Sequence, residues 1–222
     1  MEFPVIYKAP LFDGLTHETV EEILKLIRYK IKTFRRGAVI FHAGDTVSSY
    51  IMVLEGAVKG EMTDYAGRVI KIEEVNAPGS VAAAFLFGEK NIFPVNVIAL
   101  DACRLLFIER RDFLRLLMSH DGILVNFLGM ISNRTQFLSE KIKFLNFKTI
   151  KGKLAQYILQ KAGTDNEVSL DRTQNDLAEF FGVARPSIAR SLGEMESDGL
   201  IRATGRYIVI LNRKGLEDII NA

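Results

Sequence analysis

Residues 171–212 constrain this chain more than any other stretch, because apolar periodicity, a glycine break and a turn signal follow one another in a set order. Leu177, Phe180 and Phe181 put apolar side chains on one face of a first helix. Gly182 breaks it, and Ile188, Leu192 and Met195 mark the inner face of a second. The opposite face of that second helix carries Pro186, Ser187, Arg190 and Glu194, with Arg185 flanking it at the N-terminal end. Pro186 falls in the first turn, where a missing N–H costs nothing. Runs 200–203 and 206–211 then read as strands joined by Thr204-Gly205.

Helix, turn, helix and wing is the layout expected of a DNA reader whose second helix enters the major groove. The same unit also serves as a plain packing element or a protein-docking module. The outward face separates these readings: two arginines and a serine stand where a buried helix would carry leucines, and arginine pairs bidentately with guanine. DNA binding that rests on phosphate contacts should fall steeply with salt, whereas docking at an apolar face should not. Charge gives little help. The net charge is +2 over 222 residues, and residues 149–222 hold ten Lys and Arg against ten Asp and Glu. Binding must then depend on where charges sit and on two copies acting together.

Upstream, the pattern is first helical and then β. Thr16 is a plausible cap for a helix over 16–29 whose stripe is Val20, Ile23, Leu24 and Ile27. From 31 to 108, short runs at 39–41, 50–54, 69–72, 95–99 and 104–108 are separated by Arg36-Gly37, Ala43-Gly44-Asp45, Glu55-Gly56, Ala66-Gly67 and Pro78-Gly79. Strands this short and evenly punctuated predict a jelly-roll. Pro94 marks a strand start or a pocket rim. Between 112 and 146 the period is helical again. Leu124, Ile131, Leu138 and Leu145 recur every seven residues, with Leu128, Thr135 and Ile142 on the second seam position. This stripe predicts a parallel dimer helix, while Phe127, Met130, Phe137 and Phe144 on the flank pack within their own chain. A further amphipathic helix follows at 150–161, then a polar loop over 162–166. The expected fold class is α+β: a sensor roll at 1–111, a long dimerisation helix at 112–147 and a winged helix-turn-helix domain at 148–222.

The single cysteine, Cys103, excludes a disulfide framework and a four-thiolate cluster, and its apolar neighbours predict a buried structural thiol. Met1-Glu2-Phe3-Pro4 lacks the basic and apolar regions of a signal peptide, and no apolar run reaches the length of a bilayer span. A cytoplasmic protein is expected. Catalysis on the roll would need clustered metal ligands of the His-x-His kind, but His17, His42 and His120 are scattered; neither a metal, haem nor any other cofactor is expected.

A glycine-punctuated roll, a long helix and a winged helix-turn-helix, in that order, resemble the cyclic-AMP receptor / fumarate–nitrate regulator (CRP/FNR) family over nearly the whole chain. The most specific piece runs from Leu177 through Glu179-Phe180-Phe181-Gly182 to Arg185-Pro186-Ser187-Ile188-Ala189-Arg190, followed by Gly199-Leu200-Ile201. The resemblance implies a homodimeric regulator that binds palindromic promoter DNA, works with RNA polymerase and answers a small signal. Carried over by position, Arg185, Ser187 and Arg190 match base- and backbone-contacting places, while Thr173, Gln174, Asn175 and Arg206 match phosphate contacts. Pro186 stands where well-known members place a glutamate that accepts from cytosine, so the half-site should differ.

The sensor half departs further. Cyclic-AMP-binding members use a glutamate for the ribose and an Arg-Ser pair for the phosphate; here those stretches read Ala82-Ala83-Ala84 and Phe93-Pro94, with Lys90 the nearest cation. A threonine that touches adenine is matched by Leu138, although Ser139 remains. Burying a phosphate charge against such side chains is costly, so the resemblance implies an effector other than cyclic AMP. The N-terminal cysteines of the oxygen-sensing branch are also missing. The expected pocket lining is Val81, Ala83, Phe85, Phe87, Phe93, Pro94 and Leu138, with Val95 beside it. Such a lining suits an apolar ligand or a filled core.

Overall fold

The computed structural model describes residues 3–63, 67–145 and 147–221, without the side chains of Leu145 and Asn221. The chain divides into two compact units, Met1–Arg134 and Thr135–Ala222.

In the first unit, helix α1 (His17–Lys25) is capped by Thr16, whose Oγ1 accepts the Thr19 N–H at 3.2 Å. Val20, Ile23 and Leu24 bury its apolar stripe. It is shorter than the periodicity predicts, because Tyr29 is drawn into a strand and pairs with Ile108. Eight strands follow: β1 (Tyr29–Phe34), β2 (Val39–Phe41), β3 (Ser49–Glu55), β4 (Ala57–Thr63), β5 (Val69–Asn76), β6 (Ser80–Val81), β7 (Asn96–Ala99) and β8 (Cys103–Glu109). They form two four-stranded antiparallel sheets, β1-β8-β3-β6 and β2-β7-β4-β5, which enclose a common core. This is the jelly-roll that the turn spacing predicts.

Strands β2, β3, β5, β7 and β8 fall on the five expected runs, while β1, β4 and β6 do not announce themselves in sequence. In β4, Lys59, Gly60 and Glu61 break the apolar pattern, but the strand is paired on both sides, by β5 and β7. Gly60 lets the sheet pass close to Val95, since a Cβ there would lie 2.9 Å from its side chain. At Gly56, between β3 and β4, φ is +72° and a Cβ would meet the Ala102 carbonyl at 2.6 Å, so this turn requires glycine. Pro94 precedes β7 by two residues, on exposed chain. Cys103 is buried and free, and burial pushes its thiol pKa up, as a structural thiol requires.

The helical stretch after the roll is two helices rather than one: α2 (Arg110–Ser119) and α3 (Asp121–Leu145), bent by 118°. His120 has extended backbone (φ −156°, ψ 120°). Ser119 Oγ donates to the Leu116 carbonyl at 2.7 Å and closes α2, while His120 Nδ1 accepts the Gly122 N–H at 3.1 Å and opens α3. Side-chain groups thus satisfy both ends, and periodicity alone cannot see the break. Phe113, Leu116 and Leu117 bury α2 on the roll, with Phe113 stacked on Tyr50 at 4.2 Å.

The second unit continues from α3 into α4 (Ile150–Ala162), β9 (Glu167–Ser169), α5 (Gln174–Phe181), α6 (Arg185–Ser197), β10 (Ile201–Thr204), β11 (Tyr207–Ile210) and α7 (Arg213–Asn221). Its core gathers Phe144, Leu154, Tyr157, Phe180, Phe181, Ile188, Leu192, Met195 and Leu216. The hairpin turn lies at Gly205-Arg206, one residue later than expected, since Thr204 pairs with Tyr207. Two elements are unexpected. The three residues of β9 complete a small sheet through Val168 and Ile208, and α7 buries Leu216 against the core. Among the described residues no single helix is long and apolar enough to cross a membrane.

Candidate DNA-binding interface

Helix α5 starts at a capping box. Thr173 Oγ1 accepts the Asp176 N–H at 3.2 Å, and Asp176 Oδ2 accepts from the Thr173 N–H at 2.9 Å and from its hydroxyl at 2.7 Å. These hydrogen bonds from Thr173 hold the Asp176 carboxyl below its ordinary pKa, with the charges of Arg172 and Arg206 adding to the effect. Thr173 therefore has its hydroxyl engaged within the chain. Gln174 and Asn175 keep first-turn N–H groups that the helix itself does not use. Arg206, at the wing turn, brings its charge to the same helix start. Gly182 ends α5 in left-handed backbone (φ 69°, ψ 38°), its N–H shared between the Ala178 and Glu179 carbonyls.

Helix α6 begins at Arg185 with Pro186 in its first turn and no side-chain cap. Ile188, Leu192 and Met195 are buried, and Ser191 lies with them at 8% exposure. Arg185, Pro186 and Arg190 are exposed, and Ser187 is half-buried. The helix thus offers solvent the face the periodicity predicts. Ser187 and Arg190 border a groove of about 580 Å³ shared with Thr149, Lys151 and Glu194. Lys151, on α4, is a residue that sequence reasoning missed. Its Nζ lies 3.1 Å from Glu194 and 3.1 Å from Asp198, and those two hydrogen bonds raise its pKa. It thereby offsets Glu194, which shares the groove with Arg190 and would otherwise oppose a phosphate backbone.

The wing is anchored from both sides. The Ala203 N–H donates to Glu196 Oε1 at 2.7 Å, and the Leu170 N–H donates to the Arg206 carbonyl at 2.8 Å. Tyr207 donates its hydroxyl to Glu167. The backbone of the tip is held while the side chain of Arg206 stays exposed. Behind the interface, Arg172 ties three helices together. It lies 4.1 Å over the ring of Phe180, donates to Tyr157 Oη at 3.3 Å and pairs with Glu140 at 3.4 Å. Its position beside the cap of α5 gave no signal of this role.

In the first unit the residues expected to line an apolar pocket are not gathered round one. Val81 is buried, Ala83 half-buried and Pro94 exposed. Phe85 and Phe87 are 37% exposed, and Phe87 packs toward Phe113 and Phe127 at 6.2 and 6.1 Å. Only Phe93 lines the cavity of the roll, stacked on Phe41 at 4.1 Å. Leu138 belongs to the second unit, where it is exposed. The reason is local: Leu86 takes the interior position of that segment, so Phe85 and Phe87 on either side of it turn outward. Among the described residues no group of three or more His, Cys, Asp and Glu could hold a metal ion.

Comparison with known proteins agrees with this geometry. Residues 31–120 match the cyclic nucleotide-binding domain family, and residues 152–219 match the Crp-like helix-turn-helix domain family. The chain is 27% identical to the HTH-type transcriptional regulator Cmr of Mycobacterium tuberculosis over 189 residues, 84% of this chain and 75% of that one. It is 24% identical to the cAMP-activated global transcriptional regulator CRP of Salmonella typhimurium, over 78% of this chain and 85% of that one. A solved transcriptional regulator from Thermotoga maritima is 32% identical, covering 58% of this chain and 98% of that one, with a TM-score of 0.53. The Thermus thermophilus catabolite activator protein shares the fold at 20% identity, with 96% and 98% coverage and a TM-score of 0.56. With an exposed arginine face on its second helix, a charged wing tip and these relatives, the chain belongs to the CRP/FNR family of sequence-specific DNA-binding transcription regulators.

Proposed function

We propose that this regulator acts as a homodimer on a palindromic promoter site, reading each half-site with Arg185, Ser187 and Arg190 and holding phosphate with Gln174, Asn175 and Arg206. The observation that carries the reading is the outward face of α6, where both arginines stand free of carboxylate partners among the described residues while the inner face is closed. Two-fold symmetry sets half-sites one helical turn apart. Pro186 removes a base-reading carboxylate from that face, so the half-site differs from the one read by glutamate-bearing relatives. Thr173 contributes by capping α5 with its hydroxyl rather than by touching phosphate. Such a protein works beside RNA polymerase in the cytoplasm and has no catalytic role.

The two kinds of contact have different signatures. Arg190→Ala should cost about 1–3 kcal/mol per half-site and relax preference at one base pair. Arg206→Ala should weaken specific and random DNA alike and flatten the salt slope by about one unit per half-site. Fluorescence anisotropy across a salt series separates them; equal losses on both DNAs for both variants would reject these roles.

The effector of this protein is not cyclic AMP. Phe93 is buried and stacked on Phe41 in the place where the resemblance puts a phosphate-binding arginine, and Ala83 replaces the ribose-binding glutamate. At that position a cyclic phosphate would meet an aromatic pair instead of an arginine.

A further inference from the structure

The first turn of α4 is fixed in place by its own chain. Thr149 Oγ1 accepts the Gly152 N–H at 3.0 Å, and a Cβ on Gly152 would lie 3.1 Å from that oxygen and 3.8 Å from the Ile219 carbonyl of α7. Two lysines leave this turn in different directions. Lys153 donates to the Phe181 carbonyl at the end of α5, at 3.4 Å. Lys151 instead enters the groove that Ser187 and Arg190 border. There its ammonium meets Glu194 and Asp198, each at 3.1 Å. The two acids are four residues apart, so they share one face of α6.

Folding stability does not account for this cluster. The side chains of Lys151, Glu194 and Asp198 are 30, 48 and 54% exposed, and ion pairs so open to water contribute little. The acids also sit badly for a helix that faces DNA. Glu194 stands one turn beyond Arg190 in the same groove, where a bare carboxylate repels an approaching phosphate. What the acids do provide is a pair of anionic oxygens for one ammonium, the kind of acceptor that a phosphodiester also offers. Their two hydrogen bonds raise the Lys151 pKa, so the ammonium stays charged and stays in the groove.

We infer that Glu194 and Asp198 are an internal substitute for a DNA phosphate: they hold Lys151 in the free protein, and a duplex takes Lys151 from them on binding. This exchange rests on α6 being the DNA-facing helix, and it adds to that reading a competitor built into the chain. Fluorescence anisotropy of the full chain tests it over a salt series, with a random-sequence duplex and with a duplex that the parent selects from a random pool. Lys151→Gln should weaken both duplexes alike and flatten the salt slope by about one unit per half-site. Glu194→Gln together with Asp198→Asn should tighten both by about two- to fivefold per half-site. The same two changes should gain less than about half as much when Lys151 is already Gln, because no ion pair is then left to break. A lysine that only shields the acids gives the opposite order, since bare carboxylates repel most when it is missing. A lysine that only joins α4 to α6 lowers the melting temperature of Lys151→Gln and leaves the salt slope at the parent's value. The exchange is overturned by a parental salt slope in Lys151→Gln, or by acid replacements that help at least as much without Lys151 as with it. A parent chain that binds no duplex at low salt overturns the DNA-binding face itself, which sets that failure apart from the other two.

Discussion

Arg172 joins α3, α4 and α5 of the DNA-binding unit through one side chain. Its side chain is 20% exposed, and its guanidinium lies over Phe180 and reaches both Glu140 on α3 and Tyr157 on α4. Beside it, Asp171 accepts from the Tyr157 hydroxyl and from Lys161 Nζ, the latter at 2.6 Å. Burial alone would raise the Asp171 pKa, but these two hydrogen bonds outweigh it and lower the value. Removing the guanidinium leaves an aromatic face bare and a half-buried network short of a donor. Arg172→Ala should therefore destabilise this unit by about 2 kcal/mol. Amide hydrogen exchange should show faster opening of α4 and α5 with the roll unchanged; protection that stays even would assign Arg172 a surface role only.

At the scale of elements, α3 has two kinds of face. Phe127 and Phe144 are buried in the cores of the first and second units, and Asn126 donates to the Leu11 and Asp13 carbonyls at 3.1 and 2.8 Å. The heptad positions behave differently. Leu124, Leu128, Leu138 and Ile142 are 37, 55, 45 and 62% exposed, Thr135 is exposed and Ile131 half-buried, while the side chain of Leu145 lies outside the described residues. A leucine seam left open to water is covered when a second copy packs on it, and burying each side chain gains roughly 1.5–3 kcal/mol. Leu138→Lys places an ammonium in that seam and should shift the mass toward monomer in sedimentation. A tight dimer in the variant would put the interface elsewhere. The heptad stripe was legible in sequence because it depends only on spacing along one helix. The bend at His120 was not, because it depends on which side chains satisfy two helix ends.

For the whole molecule, the expected response to nucleotides is silence. Titration with cyclic AMP or cyclic GMP should give no saturable heat up to roughly millimolar ligand, and neither should raise the melting temperature, since an unpaired buried charge costs several kcal/mol. Binding tighter than about ten micromolar, with a gain in DNA affinity, would show that another cation, such as one lining the roll cavity, takes the place of the missing arginine. Sequence by itself determined the helix-turn-helix, its wing, the outward arginines, the jelly-roll class and the apolar stripe of α3. Each of these is written in local period, in turn residues or in side chains whose charge keeps them at the surface. Only tertiary structure decided the rest. Strands β1, β4 and β9 exist because neighbours pair with them, and Lys151 meets Glu194 from a separate helix. Such features join residues far apart in the chain. No local pattern carries them, because the free energy that places each residue comes from partners that only the folded chain brings near.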